Sequence, residues 1–170
     1  MAIDGYPKAF EDLVATDLPE RMTALETSIR SPIPMSDFAV EGLGPTALCR
    51  QFSLDSDFSG CYVLLEQEKP VYVGISGSVI QRLRQHVRGT THFDASLAYR
   101  IAVDAAPHNH TRAKAMENKD FKAAFDSAKT YLRGLHVAWV KIENPLVLYV
   151  FEPYCAMKFD TSKWNTFETH

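Results

Sequence analysis

The chain lacks long hydrophobic runs, paired cysteines and a strong excess of either charge, and each absence narrows what it can be. No apolar segment approaches the roughly 20 residues that a membrane-spanning helix needs, so we expect no membrane association. The segment 1–13 has no basic stretch followed by an apolar one, which argues against a signal peptide and favours a cytoplasmic protein. The three cysteines are far apart, a pattern typical of buried free thiols and not of disulfides or a Cys-x-x-Cys metal site.

The charge balance argues against one class of nucleic-acid-binding protein. With 18 basic and 21 acidic residues the net charge is -3, which is unfavourable for a protein that coats nucleic acid non-specifically. An enzyme with a local basic groove stays compatible with it, because the distribution of charge matters more than the sum. Hydrophobic residues make up 46% of the 170 residues and charged residues 23%, values typical of one folded domain with a terminal extension.

Residues 1–57 read as a helical N-terminal extension, and residues 58–170 as the main domain. Within the extension, apolar residues at helical spacing predict a helix over 19–30. The segment 31–45 is rich in Pro, Gly and Ser and indicates a connector, and a short helix is expected at 46–52.

The composition changes at Gly60, after which strand and helix patterns alternate and indicate an α+β fold. Two β-rich runs joined by a short turn predict an antiparallel hairpin, and the helical period that follows it predicts a helix from Ser76 or Ser78. The expected strands are 61–66, 71–73, 97–103 and 136–142, and the expected helices are 76–87, 120–135 and 143–157.

The predicted helix after the hairpin carries Arg82 and His86 four residues apart, hence on one face at the rim of its apolar stripe. A guanidinium suits phosphate oxygens, and an imidazole can move a proton near neutral pH. The alternative is an ordinary solvated pair. Arg84 and Arg88 are expected to point further toward solvent.

The hairpin carries Tyr62 and Tyr72 on its two arms, where both rings can project from the same face of the sheet. Simple cross-strand packing is the alternative explanation for such tyrosines. Gly74 closes the second arm and lets the backbone turn sharply into the helix.

Glu152 stands in the apolar segment 150–154, where a buried, unpaired carboxylate is costly. It therefore needs a cation partner, such as a divalent metal or an arginine, or a wet cleft. A salt bridge to Arg82 or a solvated helix face remains an equal alternative at this point.

In combination, these features resemble the GIY-YIG nuclease superfamily. The resemblance lies within residues 60–165, and its most specific part is the run YVGISGSVIQRLRQH. The matching residues are Gly60-Cys61-Tyr62, Tyr72-Val73-Gly74, Ser76, Arg82, His86, Glu152 and Asn165. The fold that the resemblance implies is a small, mainly antiparallel three-stranded sheet flanked by helices.

The resemblance further implies hydrolysis of a phosphodiester bond with one Mg²⁺ or Mn²⁺ ion, held by Glu152. Arg82 would then clamp the scissile phosphate, and Tyr62 would act as general base with His86 as the second candidate. Tyr72 and His86 would orient the water and the phosphate. Asn165 would tie the site to the end of the fold by hydrogen bonds.

Two departures from the family pattern concern single residues. Cys61 replaces the usual Ile or Val, a tolerable exchange for a small buried hydrophobe. Pro153 directly after Glu152 is unfavourable inside a helix, so either the helix kinks there or Glu152 lies nearer a helix end than in other members of the family.

Two further segments bear on the partner. The ending Trp164–His170 resembles that of restriction-endonuclease members, which often act as dimers, so a homodimer is one expectation. The cluster 108–114 is either a DNA contact or a surface loop, with the loop favoured, and we assign no metal to His108 and His110.

The leading hypothesis is therefore a metal-dependent endonuclease acting on double-stranded DNA, in restriction or phage defence. The first alternative is a DNA-binding or scaffolding module of the same fold without turnover. The second is an unrelated domain in which the matches are coincidental, which would require Arg82 and Glu152 to lie far apart.

Overall fold

The fold is that of a computed structural model, which describes residues 2–167. It is α+β, as the sequence predicts. The strands are β1 (Ile33–Pro34), β2 (Gly60–Glu66), β3 (Lys69–Ser76) and β4 (His136–Lys141). The helices are α1 (Phe10–Asp12), α2 (Leu18–Ile29), α3 (Pro45–Gln51), α4 (Val79–Arg88), α5 (Ser96–Ala105), α6 (Arg112–Glu117), α7 (Lys119–Arg133) and α8 (Pro145–Phe159). A π-helical turn, Leu13–Asp17, joins α1 to α2, and a 3-10 turn, Met35–Ala39, follows β1.

The chain forms two compact units. The first combines the described parts of 1–33, 57–79 and 136–170, and the second combines 34–56 with 80–135. Both units draw on chain from either side of residue 57, and the division into 1–57 and 58–170 stays a prediction. None of the helices within residues 2–167 has the length and apolar character needed to span a bilayer.

The sheet belongs to the first unit and has the strand order β1-β4-β2-β3. The strand β2 pairs antiparallel with β3 on one side and with β4 on the other. Residues 60–65 of β2 are all buried, as expected of an inner strand that is covered on both faces. The predicted hairpin is thus confirmed, with a register shift between Leu64 and Leu65.

Alternate residues of β2 face the core of the first unit. Cys61, Val63 and Leu65 pack there among buried side chains of α2 and α8. In α2 the contacts come at helical spacing, from Leu18, Met22 and Leu25. In α8 they come from Val147, Leu148, Phe151, Cys155 and Ala156. The helices predicted at 19–30 and 143–157 are therefore confirmed, and each buries one apolar face.

The second unit is helical, with α5 and α6 packed against α7. The buried residues of α7 recur at intervals of three and four, which gives the helix a single apolar face. They are Phe121, Phe125, Ala128 and Leu132. Tyr99 of α5 meets this face, with its ring centroid 5.2 Å from that of Phe121.

Two features of the predicted sheet are wrong. Within residues 2–167 four strands form the sheet, because Ile33–Pro34 in the supposed connector adds a short strand beside β4. The run 97–103 is not a strand but most of helix α5. Its buried residues Leu97, Ala98 and Ala102 lie on one helical face, and alanine is the strongest helix former.

Candidate functional site

Tyr62 and Gly74 lie directly opposite each other on β2 and β3. A Cβ atom at position 74 would lie 2.5 Å from Cζ of Tyr62, far inside van der Waals contact. Only glycine therefore lets the phenol lie across β3 at this point. The Tyr62 side chain is buried, with 1% of its surface exposed.

Tyr72 contributes the second phenol of the hairpin. It pairs with Leu64, two residues along β2 from Tyr62, so both tyrosines project from the same face of the sheet. Their ring centroids are 6.3 Å apart and the ring planes are inclined by 53°, a favourable tilted contact. Tyr72 is half-buried, so the pair reaches from the interior toward the surface.

Gly60 begins β2 at a point where the neighbouring backbone comes very close. A Cβ atom there would overlap the carbonyl oxygen of Val140 and lie 3.3 Å from Cα of Lys141. The glycine thus keeps the start of β2 against β4, opposite Lys141 in the register.

Asn165 holds β3 between the residues that carry the phenol and the glycine. Its Oδ1 accepts a hydrogen bond from the backbone N–H of Val73 at 2.9 Å, and its Nδ2 donates to the Val73 carbonyl at 2.7 Å. Because β3 is the edge of the sheet, the amide takes the place of one residue of a further strand. Residues 168–170 of the predicted ending lie outside the described residues.

Glu152 lies on α8 at the wall of an open pocket of about 400 Å³. The helix contributes Pro145, Leu148, Tyr149 and Glu152, which recur at helical spacing, and the opposite wall comes from Ser59 and from Ile75, Ser76 and Gly77. Glu152 is half-buried. The carboxylate is therefore in a wet cleft, one of the environments that its apolar neighbours in the sequence require.

The charge of Glu152 also reaches the sheet. The pKa of the Cys61 thiol is raised well above its usual value, first by burial, then by the hydrogen bond with Cys155 and the charge interaction with it, and then by the negative charge of Glu152. The carboxylate therefore acts electrostatically on β2, the strand that carries Tyr62.

Pro153 lies inside α8, which continues from Pro145 to Phe159. Glu152 is consequently in the middle of the helix. A proline at 153 removes the N–H that would serve the carbonyl of Tyr149 in a regular helix. Tyr149 itself is exposed, so the missing bond falls on the part of α8 that is not buried in the core.

The donor set at this pocket fits a hard cation that keeps most of its water. Within residues 2–167 no group of three His, Cys, Asp or Glu side chains is placed to hold a metal ion. A Mg²⁺ ion commonly uses one or two carboxylates, with waters and phosphate oxygens completing its shell. Glu152 supplies one carboxylate, and Ser59 and Ser76 bring hydroxyl groups to the same pocket.

Arg82 and His86 lie in the second unit, on α4, whereas the other six predicted site residues lie in the first. The Arg82 guanidinium donates from Nη1 to the Asp94 carbonyl at 2.9 Å and from Nη2 to Oγ of Ser96 at 2.7 Å. A weaker bond runs from Nη1 to Oε1 of Gln85 at 3.3 Å. Arg82 is thus held in one orientation by the start of α5.

The sequence predicts His86 at the rim of the apolar stripe of α4. The side chain is instead fully buried. Burial, with a smaller contribution from the positive charge of Arg82, lowers the pKa of His86 to about 3. The imidazole is therefore neutral across the physiological range and a weak base.

The sequence predicts that Arg84 and Arg88 point further toward solvent, but both residues are half-buried. Arg84 donates from Nε to the carbonyl of Leu43 at 2.8 Å, and Arg88 donates from Nη1 to the carbonyl of Ala39 at 3.1 Å. The acceptors lie 41 and 49 residues earlier in the chain, and the helical period of α4 cannot reveal them.

Comparison with models of known protein families, with curated proteins and with solved structures gives no match. The functional reading thus rests on the geometry of the two units. In the first, Gly60, Tyr62, Tyr72, Gly74 and Asn165 meet on the hairpin, and Glu152 lies at the pocket on its flank.

Ser59 and Tyr149 line that pocket without having been singled out in the sequence. Tyr149 could have been found from its place three residues before Glu152 on the same helix face.

The segment with the paired histidines forms a separate local structure in the second unit. His108 Nε2 lies 2.9 Å from the hydroxyl of Tyr99, and Nδ1 of His108 accepts a bond from the backbone N–H of His110 at 3.2 Å. Helix α6 begins at Arg112, with the side chain of Thr111 as its N-cap.

Proposed function

We propose that the chain is a metal-dependent endonuclease that hydrolyses phosphodiester bonds in double-stranded DNA. The observation that carries the proposal is the pocket at Glu152, whose wall includes the last residues of the strand that carries Tyr72 and Gly74. A hard carboxylate and two serines at one pocket suit phosphoryl chemistry, and the same unit carries two phenols on the other face of the sheet. The order of these residues in the chain resembles the GIY-YIG pattern, which supports the same function.

In this proposal Glu152 holds one Mg²⁺ or Mn²⁺ ion, which when bound supplies positive charge for the phosphate and the leaving oxygen. The hydroxyl groups of Ser59 and Ser76 hydrogen-bond the waters of the occupied pocket. Arg82, held by Asp94 and Ser96, is a fixed cation of the second unit, and the GIY-YIG resemblance assigns it to the scissile phosphate.

Tyr62 is assigned as the proton acceptor for the attacking water, and His86 is not. A group with a pKa of about 3 takes almost no proton from water near neutral pH, so the imidazole is left with a positioning role. Tyr72, half-buried beside Tyr62, orients the water, and Asn165 keeps β3 and its tyrosine in register.

The test is nicking of supercoiled plasmid with Mg²⁺ or Mn²⁺. The isosteric Glu152→Gln variant should lose roughly 100-fold or more in rate, because several kcal/mol of charge stabilisation is removed. Glu143→Gln, a change of the same charge at an exposed position of the same unit, should cleave like the wild type. Tyr62→Phe should lose roughly 100-fold or more if it is the proton acceptor.

A DNA-binding module without turnover is the second candidate, and the bonding of Arg82 favours it. Two of its guanidinium nitrogens are already bonded to groups of its own unit, the pattern of an arginine that holds structure. Plasmid that stays intact with wild-type protein and either metal, although it is bound, would establish this alternative. Cleavage that survives Glu152→Gln would show that the metal is not at Glu152.

A further inference from the structure

A second pocket, of about 510 Å³, lies wholly within the second unit at the end of α4. We call it the arginine pocket. The polar side chains that line it are Gln81, Arg84, Gln85, Arg88, Thr90 and Asp94. Of these residues, Gln85 and Asp94 also bond the Arg82 guanidinium, through the Gln85 side chain and the Asp94 backbone carbonyl. The other four have no place in the proposed hydrolysis.

The two arginines of this pocket are fixed before any ligand arrives. Each is held by one hydrogen bond to a backbone carbonyl, of Leu43 for Arg84 and of Ala39 for Arg88. A guanidinium has five N–H donors in a planar fork that matches phosphate oxygens, so each has donors beyond the one that fixes it. Little side-chain entropy is then lost when an anion binds.

Arg84 and Arg88 are also not needed to neutralise the free carbonyl groups at the C-terminal end of α4. Two other residues, both on α7, do that. Lys129 donates from Nζ to the carbonyl of Gly89 at 3.2 Å, and Arg133 donates from Nε and Nη2 to the carbonyl of Val87 at 3.1 and 2.8 Å. The negative end of the helix dipole is therefore offset, and it repels an anion in the pocket less.

Charge is distributed unequally between the two units. The second has 11 basic and 8 acidic residues, a formal charge of +3, whereas the first has 7 basic and 13 acidic residues, a formal charge of -6. Within the pocket the carboxylate of Asp94 opposes the two arginines, but it already accepts a bond from Oγ1 of Thr91 at 2.9 Å. The pocket thus carries a net positive charge and lies in the more basic of the two units.

The residue before Asp94 indicates what kind of anion is bound. Phe93 is 73% exposed, and its ring makes a tilted contact with that of His92, with centroids 4.1 Å apart and ring planes inclined by 38°. Phe93 directly precedes in the chain a residue that lines the pocket. Aromatic rings together with cations are the combination by which proteins bind the bases and phosphates of nucleic acid. A free phosphate ion has no base that could pack against the ring.

We propose that the arginine pocket binds a backbone phosphate of nucleic acid other than the one that is cleaved, and that Phe93 packs against an adjoining nucleotide. The proposal rests on the proposed function for its choice of ligand, and it adds a binding site that supplies affinity and register. Such contacts position a nucleic acid without reading its sequence.

The test is fluorescence anisotropy of a labelled DNA duplex in EDTA, over a series of salt concentrations. Thr90→Glu places a negative charge in the pocket and leaves both arginine bonds in place. It should weaken binding by about 10-fold and lower the slope of log affinity against log salt by about 1, the value for one phosphate contact. Ser127→Glu, an exposed position on α7 with the same change in net charge, should alter affinity by less than about 2-fold.

Two further variants separate the sources of the phosphate. Arg84→Gln combined with Arg88→Gln should weaken both the duplex and inorganic pyrophosphate, with thermal unfolding as the check on folding. Phe93→Ala should weaken the duplex about 5-fold or more and leave pyrophosphate unchanged.

Equal effects of Thr90→Glu and Ser127→Glu would refute phosphate binding in the arginine pocket, because long-range charge alone would then explain both effects. A wild-type protein that binds no duplex would overturn both this inference and the proposed function. Binding that depends on the pocket, with no plasmid cleavage, would refute the proposed function alone. Cleavage and binding that are both unaffected by the pocket variants would refute the pocket alone.

Discussion

Replacing Asn165 by alanine tests whether the end of the chain holds the hairpin in place. The amide makes two hydrogen bonds with the backbone of Val73, a fully buried residue on the edge strand β3. Alanine removes both bonds and leaves a donor and an acceptor of the strand without their protein partner. Asn165 and Val73 are 92 residues apart, so the contact joins distant parts of the chain.

The expected loss follows from the two bonds. A typical hydrogen bond contributes about 1 kcal/mol net, and a buried group left without a partner costs about 1–3 kcal/mol, less where water can reach the edge. We therefore expect Asn165→Ala to lower the free energy of unfolding by about 2–3 kcal/mol. For a chain of this length that corresponds to a Tm lower by about 5–10 °C.

Urea unfolding at pH 7 gives the free energy, and amide hydrogen exchange reports on Val73 itself. The Val73 amide should exchange much faster in the variant, while amides of the inner strand β2 should follow only the global loss. Asn165→Asp should be at least as destabilising, because it keeps the acceptor for the Val73 N–H but turns an oxygen toward the Val73 carbonyl. Asn109→Ala, at an exposed loop position, should stay within about 0.5 kcal/mol of wild type.

A variant Asn165→Ala with wild-type stability and unchanged exchange at Val73 would refute the reasoning. The two bonds would then contribute nothing that water cannot supply. Loss of plasmid cleavage without loss of stability would instead give Asn165 a role in the chemistry.

Three further predictions concern buried groups. Gly74→Ala should destabilise the protein by about 1–3 kcal/mol, because its Cβ would overlap the Tyr62 ring, whereas Gly77→Ala, with open space around it, should be tolerated in the same urea assay. Because the pKa of His86 is about 3 in the folded chain and near 6.5 in the unfolded one, its contribution to stability is complete above pH 6.5 and is lost as the pH falls toward 3, by up to about 1.4 kcal/mol per unit. Cys49, Cys61 and Cys155 are buried, so a thiol reagent at pH 7 should modify them only after unfolding.

The matching controls and contrary results are simple to define. For His86, the variant His86→Gln should show a flatter dependence of unfolding free energy on pH between 3 and 6.5, and an unchanged slope would mean that other groups cause it. Rapid labelling of the native thiols would contradict the burial of Cys61 and Cys155. If Gly77→Ala proves as damaging as Gly74→Ala, the overlap with Tyr62 is not the reason.

Local patterns were sufficient for the elements that carry the site. The hairpin, α4, α7 and α8 were all predictable, because strand and helix periods reflect which side chains of one segment share a face. The prediction of a strand at 97–103 is wrong because a short apolar segment with Tyr99, Ile101 and Val103 suits a strand as well as a helix. Only its packing against α7 shows which face is buried.

The sequence by itself predicted the hairpin and the helices around it, and it allowed Tyr62 and Tyr72 to share one face of the sheet. The register between β2 and β3 then placed both rings on one face, with Gly74 opposite Tyr62. Only the tertiary structure decided that β1 exists, since a two-residue strand is defined by its neighbour. The tertiary structure likewise buries His86 and gives Arg84 and Arg88 carbonyl partners from residues 39–43. Burial and hydrogen-bond partners depend on segments far apart in the chain, and no local period encodes them.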